Sequence, residues 1–141
     1  MNNHSKHLLL LDTHILLWLM SGDSKLLQKH QELIQNSLAI GAIGISAISF
    51  WEIAMLARQG RLALGLPIED WIHAVQSIKG LQTLELNLPI LLESVHLPGN
   101  PHKDPADRMI MATARIKQAK MLSYDSKILA YAEQGFLNAV N

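Results

Sequence analysis

Apolar runs of strand length alternate along this chain with longer segments of helical period, and that alternation specifies an α/β domain with a mainly parallel sheet. A strand is expected over 8–11, followed by a helix over 13–20. Asp23 or Ser24 can cap a second helix that carries Leu26, Leu27, His30, Leu33 and Ile34 at spacings of three and four. A strand over 40–46 leads into a helix over 47–58, which Gly60 stops, and Pro67 suits the first turn of a helix running through Trp71 and Val75. A short strand follows over 83–86. Asn87 then caps a helix reaching Val95, and the stretch 97–101, with two prolines and a glycine, reads as a loop. The order closes with a helix over 105–118, a strand over 120–123 and a helix over 126–133 ended by Gly135.

At 141 residues the chain is expected to form one domain over 1–141, and 49% apolar against 17% charged residues suit a packed core and exclude extended disorder. The absence of cysteine excludes disulfides, thiol nucleophiles and Cys-based metal sites, and fits a reducing compartment. No apolar run approaches the ~20 residues of a membrane span. The polar segment 1–7 gives no sign of a secretory signal, so a cytoplasmic protein is expected. Twelve Lys and Arg balance twelve Asp and Glu, so there is no uniformly basic surface.

In parallel sheets the working site lies beyond the carboxyl ends of the strands. Asp12 closes the first apolar run and Asp125 follows the last one, although either could simply cap the helix after it. Glu52 has Ile48, Ser49, Met55 and Leu56 as its helical neighbours, so its carboxylate faces an apolar stripe. There it needs a partner: an arginine, a hydrogen-bond donor, a proton or a metal. The string from His102 to Arg108 opens a helix in which Asp104 caps, Pro105 takes the first position and Asp107 favours the dipole. Capping accounts for that string, yet Asp107 also heads a stripe with Ile110, Met111 and Ala114 at the edge of the core face.

Four carboxylates from four elements, Asp12, Glu52, Asp107 and Asp125, can converge at one end of such a sheet. Ionised together they require divalent cations, and hard oxygen ligands suit Mg²⁺ or Mn²⁺. Clusters of this kind support phosphodiester hydrolysis, in which two ions about 3.5–4 Å apart activate water and stabilise the leaving oxygen. The hydroxyls of Thr13, Ser46, Ser49 and Ser123 stand beside these acids and can orient carboxylates or water, or cap helices. The seven histidines, at 4, 7, 14, 30, 73, 96 and 102, contain no pair at ligand spacing, which argues against zinc. Arg108 is read either as a phosphate contact or as a counter-charge to the acids, Arg58 and Arg61 as a phosphate or acidic-peptide contact or a solvated helix end, and Trp18, Trp51 and Trp71 as core.

The chain resembles the PIN-domain ribonucleases, specifically toxins of the VapC type from toxin-antitoxin pairs. The resemblance rests on Asp12-Thr13-His14 with the Ile-Leu-Leu-Trp that follows, on Ser46 to Ala54 around Glu52, on Asp104-Pro105-Ala106-Asp107-Arg108 and its helix, and on Leu122-Ser123-Tyr124-Asp125. It implies a three-layer α/β/α sandwich and a metal-dependent endoribonuclease that uses Mg²⁺ or Mn²⁺. In that family's pattern Asp12, Glu52 and Asp107 match the principal acids and Asp125 the fourth, with Asp104 supporting or capping. The implied partners are an RNA substrate, a cognate antitoxin protein and a second copy of the chain, with no membrane. Leu17, Trp18 and Met20 are candidates for a groove that takes an antitoxin helix. The alternative is a non-catalytic PIN-like module that binds RNA or protein. A phosphatase of the haloacid-dehalogenase type is disfavoured because no second Asp stands two residues after Asp12, and a receiver domain because no Lys follows a strand where one is needed. If cations neutralise the four acids, twelve basic residues face eight acids elsewhere, and six of those basic residues lie within 103–127.

Overall fold

The structure is a computed structural model that describes residues 7–140; the segment 1–6, with His4 and most of the polar start, lies outside them. Five strands form one all-parallel sheet in the order β3-β2-β1-β4-β5. In chain order the elements are β1 (Leu9–Leu11), α1 (Thr13–Ser21), α2 (Gln28–Ala39), β2 (Ile43–Ser46), α3 (Ala47–Arg58) and α4 (Ile68–Gln76). They continue with β3 (Leu81–Leu84), α5 (Leu88–Val95), α6 (Pro105–Lys117), β4 (Lys120–Leu122), α7 (Ser126–Glu133) and β5 (Ala139–Val140). The chain runs outward from β1 through β2 to β3, then returns across the sheet to β4 on the other side of β1. The order therefore reverses between β1 and β4, the position where parallel sheets open a crevice for ligands.

Alternation along the strands divides the core in two. Leu10 and Met121 pack with Ile90, Ile110, Met111, Ile128 and Tyr131 on one face of the sheet. Leu9, Leu11, Ile43 and Ile45 pack with Ile15, Leu16, Ile34, Phe50, Ile53 and Trp71 on the other. The result is the expected three-layer α/β/α sandwich. Gly44, between Ile43 and Ile45, lets the Leu84 and Leu8 side chains pack against the backbone, where a Cβ would come within 2.8 and 3.1 Å of them.

Several boundaries differ from the sequence reading. α2 starts at Gln28 rather than just after Asp23 or Ser24, because the Asp23 carboxylate accepts a bond from the Lys25 N–H in a local turn and does not cap the helix. β2 is confined to 43–46, since Gly41 takes a φ of 69° and turns the chain before the ladder begins. β3 lies two residues earlier than expected, paired with Ile43–Ser46. β5, a two-residue strand beside β4, carries too short a pattern to be read from sequence. Trp71 is core and Trp18 is half-buried, but Trp51 departs from the core expectation at 56% exposed, on the outer side of α3. Among the described residues no helix is long and apolar enough to cross a membrane.

Candidate active site at the carboxyl edge of the sheet

Asp12, Glu52, Asp107 and Asp125 gather at the carboxyl edge, each delivered by a different element. Asp12 follows β1 and caps α1, its Oδ1 accepting the Thr13 N–H at 2.8 Å. Its Oδ2 accepts a 2.7 Å hydrogen bond from Ser123 Oγ at the end of β4, across the switch point. Ser123 in turn accepts the Asp125 N–H at 3.1 Å, so one buried hydroxyl ties two of the acids together. Glu52 lies half-buried in α3, and its Oε1 accepts from Thr13 Oγ1 at 2.7 Å. Thr13 Oγ1 also stands 2.9 Å from Ser49 Oγ. Since Thr13 has one proton and gives it to the carboxylate, Ser49 must donate to Thr13. The partner of Glu52 is thus a hydroxyl chain and not an arginine.

Asp107 and Asp125 complete the edge. Asp104 caps α6 through its Oδ1 and the Asp107 N–H at 3.0 Å, which fixes the first turn and the place of Asp107 in it. Asp125 caps α7 with Oδ1, accepting from the Lys127 and Ile128 N–H groups at 2.8 and 3.2 Å. Asp125 thus serves the helix with Oδ1, while its Oδ2 lies 3.7 Å from His102 Nε2. Ser46 Oγ accepts the Ile48 N–H, so it caps α3 and does not reach the acids.

The electrostatics are those of an uncompensated acidic cluster. Burial, together with the nearby Asp12, Asp104, Glu52 and Asp125, raises the Asp107 carboxyl from 3.8 to about 7. Burial also raises Asp12 and Glu52, partly offset by the hydrogen bonds from Ser123 and Thr13. Among the described residues, no lysine or arginine forms an ion pair with any of the four. Arg108 does not supply the missing charge: Nε donates to the Ser94 carbonyl at 2.9 Å and Nη2 to that of Val95 at 3.2 Å, at the end of α5. The Arg61 side chain hydrogen-bonds Gln59, and His14, on the exposed side of α1 next to Trp18, favours the ionised forms of Asp12 and Glu52 as a minor contribution.

One residue at the site went unrecognised in the sequence. His102 Nε2 lies 3.2 Å from Asp107 Oδ2 and 3.7 Å from Asp125 Oδ2, and these three side chains form the tightest potential ligand group among the described residues. Asp12 and Glu52 belong to the same electrostatic neighbourhood, outside that trio. A search for paired histidines passes over His102. The readable signal was its place two residues before the capping Asp104, where the loop turns back over the first turn of α6.

The model of the PIN domain matches residues 9–134, and the chain belongs to that family. It is 28% identical over 122 residues, 86% of this chain and 90% of the relative, to Ribonuclease VapC22 of Mycobacterium tuberculosis. Its fold is similar to that in the crystal structure of VapBC2 from Rickettsia felis bound to a DNA fragment from their promoter, with a TM-score of 0.68, 13% identity and coverage of 95% of this chain and 98% of that one. It is similar as well to FitAcB from Neisseria gonorrhoeae, with a TM-score of 0.66, 17% identity and coverage of 95% and 97%.

Proposed function

We propose that this chain is a metal-dependent endoribonuclease and the toxin of a toxin-antitoxin pair. The observation that carries the reading is the gathering of Asp12, Glu52, Asp107 and Asp125 at the switch point without a lysine or arginine partner. Water and protons alone leave such a cluster poorly compensated, whereas divalent cations satisfy it. The donor set fits Mg²⁺ or Mn²⁺: the four carboxylates supply hard oxygen ligands. Asp12, Glu52 and Asp107 would hold the ions, and Asp125 Oδ2 would act at the rim. When bound, the ions supply an activated water and charge stabilisation for the scissile phosphodiester.

The protein's own groups do the positioning. Ser123 keeps Asp12 Oδ2 turned toward Asp125, and the Ser49–Thr13 chain keeps Glu52 aimed from α3. Thr13, Ser49 and Ser123 therefore act through the carboxylates, as does Asp104 through the first turn of α6. Arg108 supports the site from a distance by joining α6 to the end of α5.

The relative's name, Ribonuclease VapC22, favours RNA as substrate, and the toxin-antitoxin complex from Klebsiella pneumoniae, similar in fold with a TM-score of 0.62 and 19% identity, favours an antitoxin as partner. A cleft of about 460 Å³ beside the site suits an amphipathic segment of that antitoxin, with Leu17, Trp18, Met20, Leu56, Leu62 and Leu64 on its walls. A homodimer in a cytoplasmic setting completes the reading, with Trp51, Leu88, Leu92 and Val95 offering exposed apolar surface. The test is mapping of RNA ends after induced expression. Discrete new ends with the wild type and none with a folded Asp12→Asn protein are expected; identical ends from both would overturn it.

A further inference from the structure

The loop between α5 and α6 is anchored against α7 and the segment after it. Tyr131 Oη donates to the Pro98 carbonyl at 2.5 Å, and Gly99, at φ 70°, passes so close to Phe136 that a Cβ would meet the ring at 2.4 Å. This anchoring delivers His102 to the acidic edge with its side chain only 15% exposed. The Asp104 N–H points at His102 Nδ1 from 3.1 Å, so that nitrogen is an acceptor and carries no proton. The ring proton therefore sits on Nε2, between Asp107 Oδ2 at 3.2 Å and Asp125 Oδ2 at 3.7 Å. Asp107 Oδ2 is the nearer of the two oxygens to this N–H, and Asp125 Oδ2, at 3.7 Å, lies beyond hydrogen-bond distance. A nitrogen bearing that proton cannot also ligate a metal.

We infer that His102 is a positioning residue, whose backbone-locked Nε2–H faces Asp107 Oδ2 and keeps that carboxylate oriented beside Asp125, so that the cation site keeps its all-oxygen ligand set. The inference rests on the metal-site reading above. Asp107 Oδ2 has a second lone pair, so it can face the Nε2–H and a cation at the same time. Outer partners that orient ligands in this way typically change metal affinity by about 10–100-fold. Gln can reach the same carboxylates with its amide N–H, whereas Ala cannot.

The test is calorimetric titration of the full chain at pH 8 with Mn²⁺, for wild type, His102→Ala and His102→Gln, alongside ¹⁵N–¹H spectra of the histidine rings with and without Mg²⁺. His102→Ala is expected to weaken Mn²⁺ binding about tenfold or more while its circular dichroism remains native, and His102→Gln to recover most of that loss. The spectra are expected to show His102 protonated on Nε2 both before and after Mg²⁺ is added. Wild-type affinity or tighter in folded His102→Ala, no recovery in His102→Gln, or loss of the Nε2 proton on Mg²⁺ binding would each overturn the inference. If His102→Ala fails to fold, His102→Gln and the wild-type spectra decide it by the same criteria. A wild type that binds no Mn²⁺ at millimolar concentration would instead defeat the metal-site reading itself.

Discussion

Replacing Asp107 with Asn separates the stability of this site from its function, because the two should move in opposite directions. In the cation-free protein the Asp107 carboxyl is raised from 3.8 to about 7. At about 1.4 kcal/mol per pH unit, ionising it at pH 8 would cost roughly 4 kcal/mol if the effect were fully transmitted. The side chain retains 18% exposure, and solvent screening reduces the cost to about 1–2 kcal/mol. Asn removes the charge while keeping an acceptor for His102, and forfeits about 0.5 kcal/mol of favourable interaction with the α6 dipole. The net gain of about 1 kcal/mol should raise the melting temperature in EDTA by about 3 °C for a chain of this size. With Mn²⁺ at a hundredfold its dissociation constant, the wild type should gain about 2.7 kcal/mol, or roughly 8 °C. Asp107→Asn should gain less than a third of that, so the order of stability inverts. Differential scanning fluorimetry in EDTA and across a Mn²⁺ series reads both effects. A variant that melts lower than wild type in EDTA, or gains as much from Mn²⁺, would refute the reasoning.

The same cause gives the pH dependence its sign. The native state holds protons on Asp107, and in part on Asp12 and Glu52, that the unfolded chain releases near pH 4, so cation-free stability should fall as pH rises from about 4 to about 7. Urea midpoints across that range check it, and a flat or rising profile would contradict it. Ser123→Ala should cost about 1–3 kcal/mol, since it strips a buried bond from Asp12 and leaves the Asp125 N–H unpaired; chemical denaturation measures the loss. Thr13→Val should weaken Mn²⁺ binding about tenfold by freeing Glu52, while Thr13→Ser largely preserves it, as calorimetry can report. Arg108→Ala should lower stability by about 1–3 kcal/mol and leave Mn²⁺ affinity within about twofold, because its bonds are to the carbonyls of α5.

The acids were legible in the sequence because each follows a signal that fixes its place. Asp12 and Asp125 close strand-length runs, Asp107 sits three residues after a capping Asp, and Glu52 interrupts an apolar helical stripe. Parallel strands then bring the carboxyl ends together without further instruction. Features decided across long sequence separations were not legible. The Ser123–Asp12 bond spans 111 residues, and His102 meets Asp125 only because the 97–101 loop packs on Tyr131 and Phe136. Arg108 adjoins Asp107 in sequence yet points elsewhere, since successive helical residues diverge by about 100°. Trp51 lies one residue from Glu52 and diverges in the same way, so Glu52 turns to the site and Trp51 to the surface.

Cleavage of RNA by the purified chain tests the central claim most directly. Labelled single-stranded RNA should be cut with 5 ′-end-resolved products in Mg²⁺ or Mn²⁺, should stay intact in EDTA, and should be cut again when the cation is restored. Asp12→Asn, folded by circular dichroism, should leave the RNA intact under all three conditions. Cutting that persists in EDTA, or that survives in Asp12→Asn, would contradict a hydrolytic site built from these carboxylates and the cations they hold.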